Sequence, residues 1–132
     1  MIAPGRYAIQ NTNGMFLTLL SSGVHAVPEI QPESSWTVSE AHWPNTAYFS
    51  QAGLQLSIRP DGTIWTTKNR QAWEFWYLEP VPSREGYFFV RGVHGRNLSI
   101  NSDTVTSGSA KDEAEMWRFI LQEGFLVPVE SS

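Results

Sequence analysis

The chain contains no cysteine. This absence excludes disulfide bonds, thiolate metal sites and cysteine nucleophiles. No apolar run approaches the roughly 20 residues that a membrane-spanning helix needs. The N-terminus also lacks the charged segment and apolar stretch of a secretory signal. We therefore expect a soluble, cytoplasmic protein with no membrane-inserted segment, and export by another route is the alternative.

Charge is scarce, and positive charge in particular. Charged residues make up 17% of the chain, and nine Lys and Arg against 13 Asp and Glu give a net charge of -4. Nucleic acids and anionic membrane surfaces are recognised by clustered basic residues. The charge balance therefore argues against a nucleic-acid partner and against a membrane partner.

Motifs for catalysis and for cofactor binding are missing as well. The histidines, His25, His42 and His94, lie in different repeat contexts, and none has metal-ligand spacing. The sequence has no Gly-x-Ser-x-Gly motif, no phosphate-cradling loop and no dinucleotide fingerprint. It therefore predicts a protein that is not an enzyme and that uses no cofactor and no metal ion.

Aromatic residues, by contrast, are abundant. They make up 13% of the 132 residues and include six Trp. A disordered chain would be poor in aromatics and rich in charge. A chain of this length is typical of one domain and is long enough to bury a core of its own. We therefore expect one folded domain over residues 1–132.

A short pattern, Gly-x-x-Leu followed by Thr or Ser and then Leu or Ile, occurs three times at intervals of about 40 residues. The copies are Gly14–Leu19, Gly53–Ile58 and Gly95–Ile100. An aromatic segment precedes each copy, and a Trp-x-Val or Trp-x-Phe triplet follows about 20 residues later. These triplets begin at Trp36, Trp73 and Trp117. Ordered copies at matched spacing indicate three repeated units, at about 5–40, 41–80 and 81–122.

Each unit has the pattern of a four-stranded element. Apolar residues alternate with Thr or Ser inside each copy, which is typical of a strand with one buried face. Turn-forming residues separate the strands, and Asp61-Gly62 is a strong hairpin signal. Three units are too few for a propeller, which usually needs four to eight blades. Three such units make twelve strands.

Over about residues 5–122, the sequence resembles the β-trefoil superfamily. The Gly-x-x-Leu-Ser-Ile and Trp-x-Phe elements are similar to the fascin and hisactophilin branch and to small fungal trefoils. Gln71–Trp73 is similar to the Gln-x-Trp mark of ricin-type lectins, whereas Ser34–Trp36 and Glu115–Trp117 depart from it. The resemblance implies an all-β, single-domain β-trefoil of twelve strands with pseudo-threefold symmetry, in which three hairpins cap a six-stranded barrel.

The repeat pattern also predicts which aromatic residues form the core. Trp36, Trp73 and Trp117 occupy equivalent repeat positions, so we expect all three to be buried, as large apolar side chains usually are in small domains. Trp76, three residues after Trp73, is expected to pack nearby. The glycines of the three copies are expected to be turn residues, with either positive φ or close packing as the reason for glycine.

One tryptophan that breaks the threefold pattern marks a candidate binding site. Alternation places Ile64 inward, so Trp65 should be exposed on its hairpin, near Asp61, Asn69 and Gln71. A sugar ring needs an aromatic face for its C–H groups and a few fixed polar groups for its hydroxyls. These residues therefore predict a glycan-binding site, and the alternative is that Trp65 only covers the barrel.

Three further residues are candidates for ligand contact. His94 and Asn97 flank the third repeat glycine and could hydrogen-bond a ligand there, with a solvated turn as the alternative. Trp43 lies in a loop containing Pro and Asn that is longer than its equivalents need. Such a residue is a candidate interaction tip.

We therefore predict a non-enzymatic, lectin-like module that binds a glycan or glycoprotein. The resemblance to small fungal trefoils implies a second hypothesis, a protease inhibitor that presents residues 42–45 or 27–32. The resemblance to fascin and hisactophilin implies a third, an actin-binding protein, which the acidic charge and single domain disfavour. The apolar tail at 123–132 is expected to pack on its own domain, and a homodimer contact is the alternative.

Overall fold

The computed structural model describes residues 2–122 and contains twelve strands in this range. The strands are Gly5–Asn11 (β1), Phe16–Leu20 (β2), Gly23–Val27 (β3), Ser35–Glu40 (β4), Thr46–Gln51 (β5), Leu54–Ile58 (β6), Ile64–Thr67 (β7), Trp76–Pro80 (β8), Tyr87–Arg91 (β9), Asn97–Asn101 (β10), Thr104–Gly108 (β11) and Met116–Leu121 (β12). Short 3-10 helices precede β4, β8 and β12, at Pro32–Ser34, Ala72–Glu74 and Glu113–Glu115. The predicted all-β class is confirmed. The tail at 123–132 lies outside the described residues.

Six of the strands close into an antiparallel barrel. β1 pairs with β4 and β12, β5 pairs with β4 and β8, and β9 pairs with β8 and β12. The other strands form the hairpins β2–β3, β6–β7 and β10–β11, whose second strands contact one another. The predicted barrel with three capping hairpins is confirmed, and every unit supplies one hairpin and two barrel strands.

The core repeats the same contact in each unit. The central leucines of the three hairpins and three tryptophans of the barrel are fully buried. Each indole N–H donates a hydrogen bond to the carbonyl of the leucine in its own unit, at 2.9–3.0 Å. The pairs are Trp36 with Leu17, Trp76 with Leu56, and Trp117 with Leu98. Burial of the ring thus leaves neither the indole N–H nor the leucine carbonyl without a partner.

The tryptophan of the second unit is therefore Trp76, and the prediction that Trp73 lies in the core is wrong. Trp73 is 40% exposed on the second 3-10 helix, whereas Trp76 is fully buried at the start of β8. The two Trp-x-apolar triplets lie three residues apart in sequence. Only Trp76 places its N–H against the Leu56 carbonyl. When the units are aligned on their buried tryptophans, Glu74–Trp76 corresponds to Ser34–Trp36 and Glu115–Trp117. The Gln-x-Trp match at Gln71–Trp73 therefore lies three residues before the equivalent position.

A buried polar pair ties each 3-10 helix to the neighbouring hairpin. In the second unit, the Ser57 hydroxyl on β6 donates to the Glu74 carboxylate. The equivalent pairs are Ser99 with Glu115 in the third unit and Thr18 with Ser34 in the first. These side chains are almost completely buried. The second and third units therefore hold a carboxylate where the first unit holds a hydroxyl.

Glycine is required where the barrel strands turn into the hairpins. Gly14, Gly53 and Gly95 have φ values of 90°, 78° and 83°, which is the first of the two predicted reasons for glycine. Residues with a Cβ rarely adopt this conformation. The Asp61-Gly62 hairpin turn is also confirmed, with Gly62 at φ 92°.

Candidate functional site

A pocket of about 270 Å³ lies between β7 and the second 3-10 helix. Trp65, Asn69 and Gln71 line it, so the structure brings together three of the residues that the sequence singled out. Trp73 and Glu74 complete the wall. We call this cavity the Trp73 pocket, because Trp73 provides its most exposed aromatic surface.

Trp73 was missed as a site residue because the repeat spacing placed it in the core. The ring is 40% exposed and meets His94 edge to face, with centroids 5.7 Å apart. Its counterparts in the other 3-10 helices are Glu33 and Ala114. Trp73 therefore breaks the threefold symmetry at an exposed position. An alignment of the units on the buried tryptophans would have revealed this.

Trp65 differs from the fully exposed platform that alternation predicted. It is half-buried, and the Arg59 guanidinium lies over its ring at 4.2 Å from the centroid. Its indole nitrogen is buried and has no hydrogen-bond partner within residues 2–122. Arg59 thus covers part of the aromatic surface, and Trp65 forms a wall of the Trp73 pocket.

Glu74 fixes the turn that carries Trp73. One carboxylate oxygen accepts the hydrogen bond from Ser57, and the other accepts the backbone N–H of Gln71 at 2.7 Å. Both bonds involve an ionisable acceptor that is only 2% exposed. Loss of a buried acceptor of this kind would leave both donors without a partner. The pocket wall from Gln71 to Glu74 is therefore anchored to β6 before any ligand arrives.

His94, from the third unit, contacts Trp73 beside the pocket. Its Nε2 lies 3.2 Å from the Ile58 carbonyl oxygen of the second unit. Because a carbonyl can only accept, the geometry assigns the proton to Nε2. The ring is thereby held against the edge of Trp73. The sequence predicted that His94 contacts a ligand in the third unit, whereas the structure places it beside the second.

Asp61 does not line the pocket. Its Oδ1 accepts the backbone N–H of Thr63 at 2.9 Å, inside the turn between β6 and β7. This bond, together with the Thr63 hydroxyl, holds the pKa of Asp61 below its ordinary value of 3.8, and Arg59 contributes a smaller attraction. Asp61 is therefore ionised at neutral pH and shapes the turn.

Asn97 also lies elsewhere, inside the third hairpin. It is 2% exposed, and its amide nitrogen donates to the Ala110 carbonyl at 3.0 Å. The prediction placed Asn97 at a surface turn, but β10 begins at this residue and buries it beside Leu98. Asn97 therefore has no exposed surface with which to reach a ligand in the Trp73 pocket.

Trp43 lies in the linker between β4 and β5 and is 54% exposed, as expected for an interaction tip. It borders a second pocket, of about 400 Å³, rather than the Trp73 pocket. The linker at 41–45 is no longer than the corresponding linker at 81–86, which corrects the expectation of an extended loop. The protease-inhibitor hypothesis for 42–45 and 27–32 stays a prediction, as do actin binding and a homodimer.

Within residues 2–122, no group of three or more His, Asp or Glu side chains is placed to hold a metal ion. Among these residues there is also no helix with the length and apolar character needed to cross a membrane.

Comparison with known proteins identifies the fold. No family model matches the sequence, and no curated protein matches it. The solved structure of SeviL bound to the asialo-GM1 saccharide is similar, with a TM-score of 0.85 and 18% identity over 91% of this chain and 99% of that chain. The Haemophilus ducreyi cytolethal distending toxin is also similar, with a TM-score of 0.75 and 15% identity over 91% and 87% of the two chains. Together with the closed barrel and its three hairpins, these likenesses show that the chain has the β-trefoil fold.

Proposed function

We propose that this protein is a non-enzymatic carbohydrate-binding module and that the Trp73 pocket is its saccharide site. The observation that carries the proposal is the placement of exposed Trp73 in one cavity with Asn69, Gln71 and Trp65. Saccharide sites combine an aromatic surface with a few fixed polar groups. The Trp73 pocket contains both.

In the proposed complex, the exposed ring of Trp73 packs against the apolar C–H face of a sugar. Asn69 and Gln71 provide amide donors and acceptors for the hydroxyls on the ring's edge. The side-chain amide of Asn69 makes no hydrogen bond within residues 2–122, so it can bond to a ligand without breaking a protein contact. His94 stabilises the Trp73 ring from the side.

The site is held in place before binding. Glu74 anchors the turn that bears Trp73, and the Ile58 carbonyl orients His94. A preorganised site loses less conformational freedom when the ligand binds, so more of the interaction energy becomes affinity. A small pocket makes few contacts with its ligand, so little conformational freedom can be lost on binding if the affinity is to be measurable.

The two tryptophans of the pocket are not repeated in the other units. Glu33 and Ala114 replace Trp73, and the register places His25 and Thr106 at the position of Trp65. We therefore propose one saccharide site per chain. For a single small site of this kind we expect a Kd of about 1 mM, which corresponds to a binding free energy of about -4 kcal/mol. Tighter binding to a surface requires several copies acting together.

The likeness to SeviL supports this proposal at the level of the fold. SeviL is bound to the asialo-GM1 saccharide, and its structure covers nearly all of this chain. A shared fold does not transfer a site, because the same fold hosts many functions. We use the likeness to choose the asialo-GM1 saccharide as the first defined probe.

The test is a glycan array with labelled protein of checked oligomeric state, followed by titration with the best ligand. Trp73→Ala is expected to abolish binding, whereas Glu33→Ala, at the equivalent exposed position of the first unit, should bind normally. Circular dichroism and thermal unfolding establish that both variants are folded. Undiminished saccharide binding by folded Trp73→Ala would show that the site lies elsewhere.

A further inference from the structure

A second pocket, distinct from the saccharide site, lies at the junction of the first two units. We call this cavity of about 400 Å³ the Trp43 pocket. Its walls come from the N-terminal residues, from β4, and from the linker at 41–45. Apolar lining includes Ile2, Val38 and Leu78, while Glu40 adds a carboxylate. The cavity has the volume of a small-molecule site.

The linker presents Trp43 in a fixed position. The Trp43 carbonyl accepts the backbone N–H of Thr46 at 3.2 Å, and the Thr46 hydroxyl bonds to the same carbonyl. Asn45 adopts φ 64°, and its carbonyl accepts the N–H of Leu78 at 2.8 Å. Two edge-to-face contacts hold the Trp43 ring, with Phe75 at 5.5 Å and His42 at 5.8 Å. These contacts fix the orientation of the Trp43 ring, although the residue is 54% exposed.

Within residues 2–122, four aromatic rings contact a cation of the chain that also lies near a carboxylate. Lys111 Nζ lies 5.6 Å from the Phe89 ring centroid and 2.9 Å from a carboxylate oxygen of Glu79. The same combination is formed by Arg91 with Tyr77 and Glu79, by Arg84 with Tyr87 and Glu113, and by Arg59 with Trp65 and Asp61. The ring quadrupole and the carboxylate both attract the cation.

The Trp43 pocket has the ring and the carboxylate but lacks the cation. Neither Lys nor Arg is among its lining residues within the described chain. The Glu40 side chain is exposed and makes no hydrogen bond and no ion pair within residues 2–122. The pocket therefore combines negative charge with an exposed aromatic ring, the electrostatic complement of a positively charged organic group.

We propose that the Trp43 pocket binds an organic ammonium ion, with Trp43 contacting the cation through its ring and Glu40 neutralising the charge. An organic cation suits the cavity because its carbon atoms can pack against Ile2 and Pro4, which a hydrated metal ion would not do. This inference is independent of the Trp73 pocket. The Trp43 pocket recognises its ligand by charge, whereas the Trp73 pocket recognises the proposed saccharide by stacking and by neutral hydrogen bonds.

The test uses the indole N–H signals of the six tryptophans in two-dimensional NMR. Trp43→Phe assigns the Trp43 signal by its disappearance. Choline is the quaternary probe, and its uncharged analogue with carbon in place of nitrogen is the matched control. Choline should shift the Trp43 signal to saturation, and the analogue should not. An equal shift with the uncharged analogue, or no shift with choline up to about 100 mM, would overturn the proposal.

A second pair of probes distinguishes the source of the ammonium group. Glucosamine carries a primary ammonium, and N-acetylglucosamine is the same sugar without the charge. A Trp43 shift with glucosamine alone supports recognition of an amino sugar through its charge. Equal shifts with both sugars would show that the pocket reads the sugar ring, and the ammonium proposal would then fail.

Charge substitution isolates the contribution of Glu40. Glu40→Gln is expected to weaken choline binding about tenfold. Glu29→Gln removes the same charge from another exposed position and should leave choline binding unchanged. Both side chains are exposed, so neither substitution threatens folding. Equal choline affinity in Glu40→Gln and the unsubstituted protein would remove the carboxylate from the site and overturn the proposal.

Discussion

Trp73 and His94 meet edge to face, with ring centroids 5.7 Å apart and ring planes inclined at 65°, although they belong to different repeats. The contact exists because each 3-10 helix lies against the first turn of the following unit. In the other two junctions, the Gln51 amide donates to the Glu33 carbonyl, and the Thr12 hydroxyl donates to the Glu113 carbonyl. The Trp73 pocket is thus a modified version of a junction that the fold builds three times.

Replacing His94 should weaken saccharide binding without abolishing it. His94→Ala removes the ring that abuts Trp73, and an aromatic pair of this kind contributes about 0.5–1.5 kcal/mol beyond its buried area. We expect the Kd for the array-selected saccharide to rise about threefold to tenfold in calorimetric titration. Val93→Ala, at the adjacent and 41% exposed position, serves as the control and should bind normally. Unchanged affinity in His94→Ala would exclude a positioning role for the imidazole.

The assignment of Trp76 to the core makes a direct prediction for stability. Trp76→Phe leaves a cavity and deprives the Leu56 carbonyl of its donor, so the free energy of unfolding should fall by about 2–4 kcal/mol. Trp73→Phe should change it by less than about 0.5 kcal/mol, because Trp73 is on the surface. Chemical denaturation of the two variants measures both values. A larger loss in Trp73→Phe than in Trp76→Phe would reverse the assignment.

The fold could be predicted because its determinants are local and repeated. Gly14 and its counterparts mark the turns, and the alternation around Leu17 marks strands with one buried face. Trp73 and Trp76 show the limit of such reasoning. Both begin a Trp-x-apolar triplet, and the choice between them depends on which indole N–H reaches the Leu56 carbonyl, a contact about 20 residues away in sequence.

The candidate site was only partly predictable for the same physical reason. Asn69 and Gln71 follow Trp65 on one short segment, so their proximity could be predicted from chain distance alone. His94 enters from another unit, and Arg59 covers Trp65 from across the hairpin turn. Neither contact leaves a periodic signal in the sequence. Burial of Asn97 was equally hidden, because an Asn two residues after a turn glycine usually indicates a solvated turn.

Asp61 should make the protein less stable in acid. The hydrogen bonds from Thr63 lower the pKa of Asp61 in the folded state. The ionised carboxylate therefore stabilises the fold at any pH above the ordinary pKa of 3.8. This contribution disappears as the pH falls through the lowered pKa. Asp61→Asn removes this titration and should flatten the dependence of the melting temperature on pH below about 4. Thermal unfolding between pH 2 and pH 7 measures the slope. Parallel curves for the two proteins would show that the turn does not favour the charged form.

Glu74 should support saccharide binding through the turn it anchors, beyond its effect on stability. Glu74→Ala leaves the Ser57 hydroxyl and the Gln71 N–H without their buried acceptor, so the free energy of unfolding should fall by about 2–3 kcal/mol. The freed turn no longer fixes Trp73, and saccharide affinity should fall even where the variant is fully folded. Glu74→Gln keeps an amide oxygen as acceptor and should restore most of the affinity.

The third unit supplies the matched control for that prediction. Glu115 accepts hydrogen bonds from Ser99 and from the Asp112 N–H, as Glu74 does from Ser57 and Gln71, but its helix carries Ala114 in place of Trp73. Glu115→Ala should therefore lose similar stability and keep its saccharide affinity. The comparison separates positioning from general destabilisation, because the two variants differ only in whether the loosened helix bears the binding ring. If both lose affinity to the same extent, the buried carboxylates act on the fold alone, and Trp73 is positioned by other contacts.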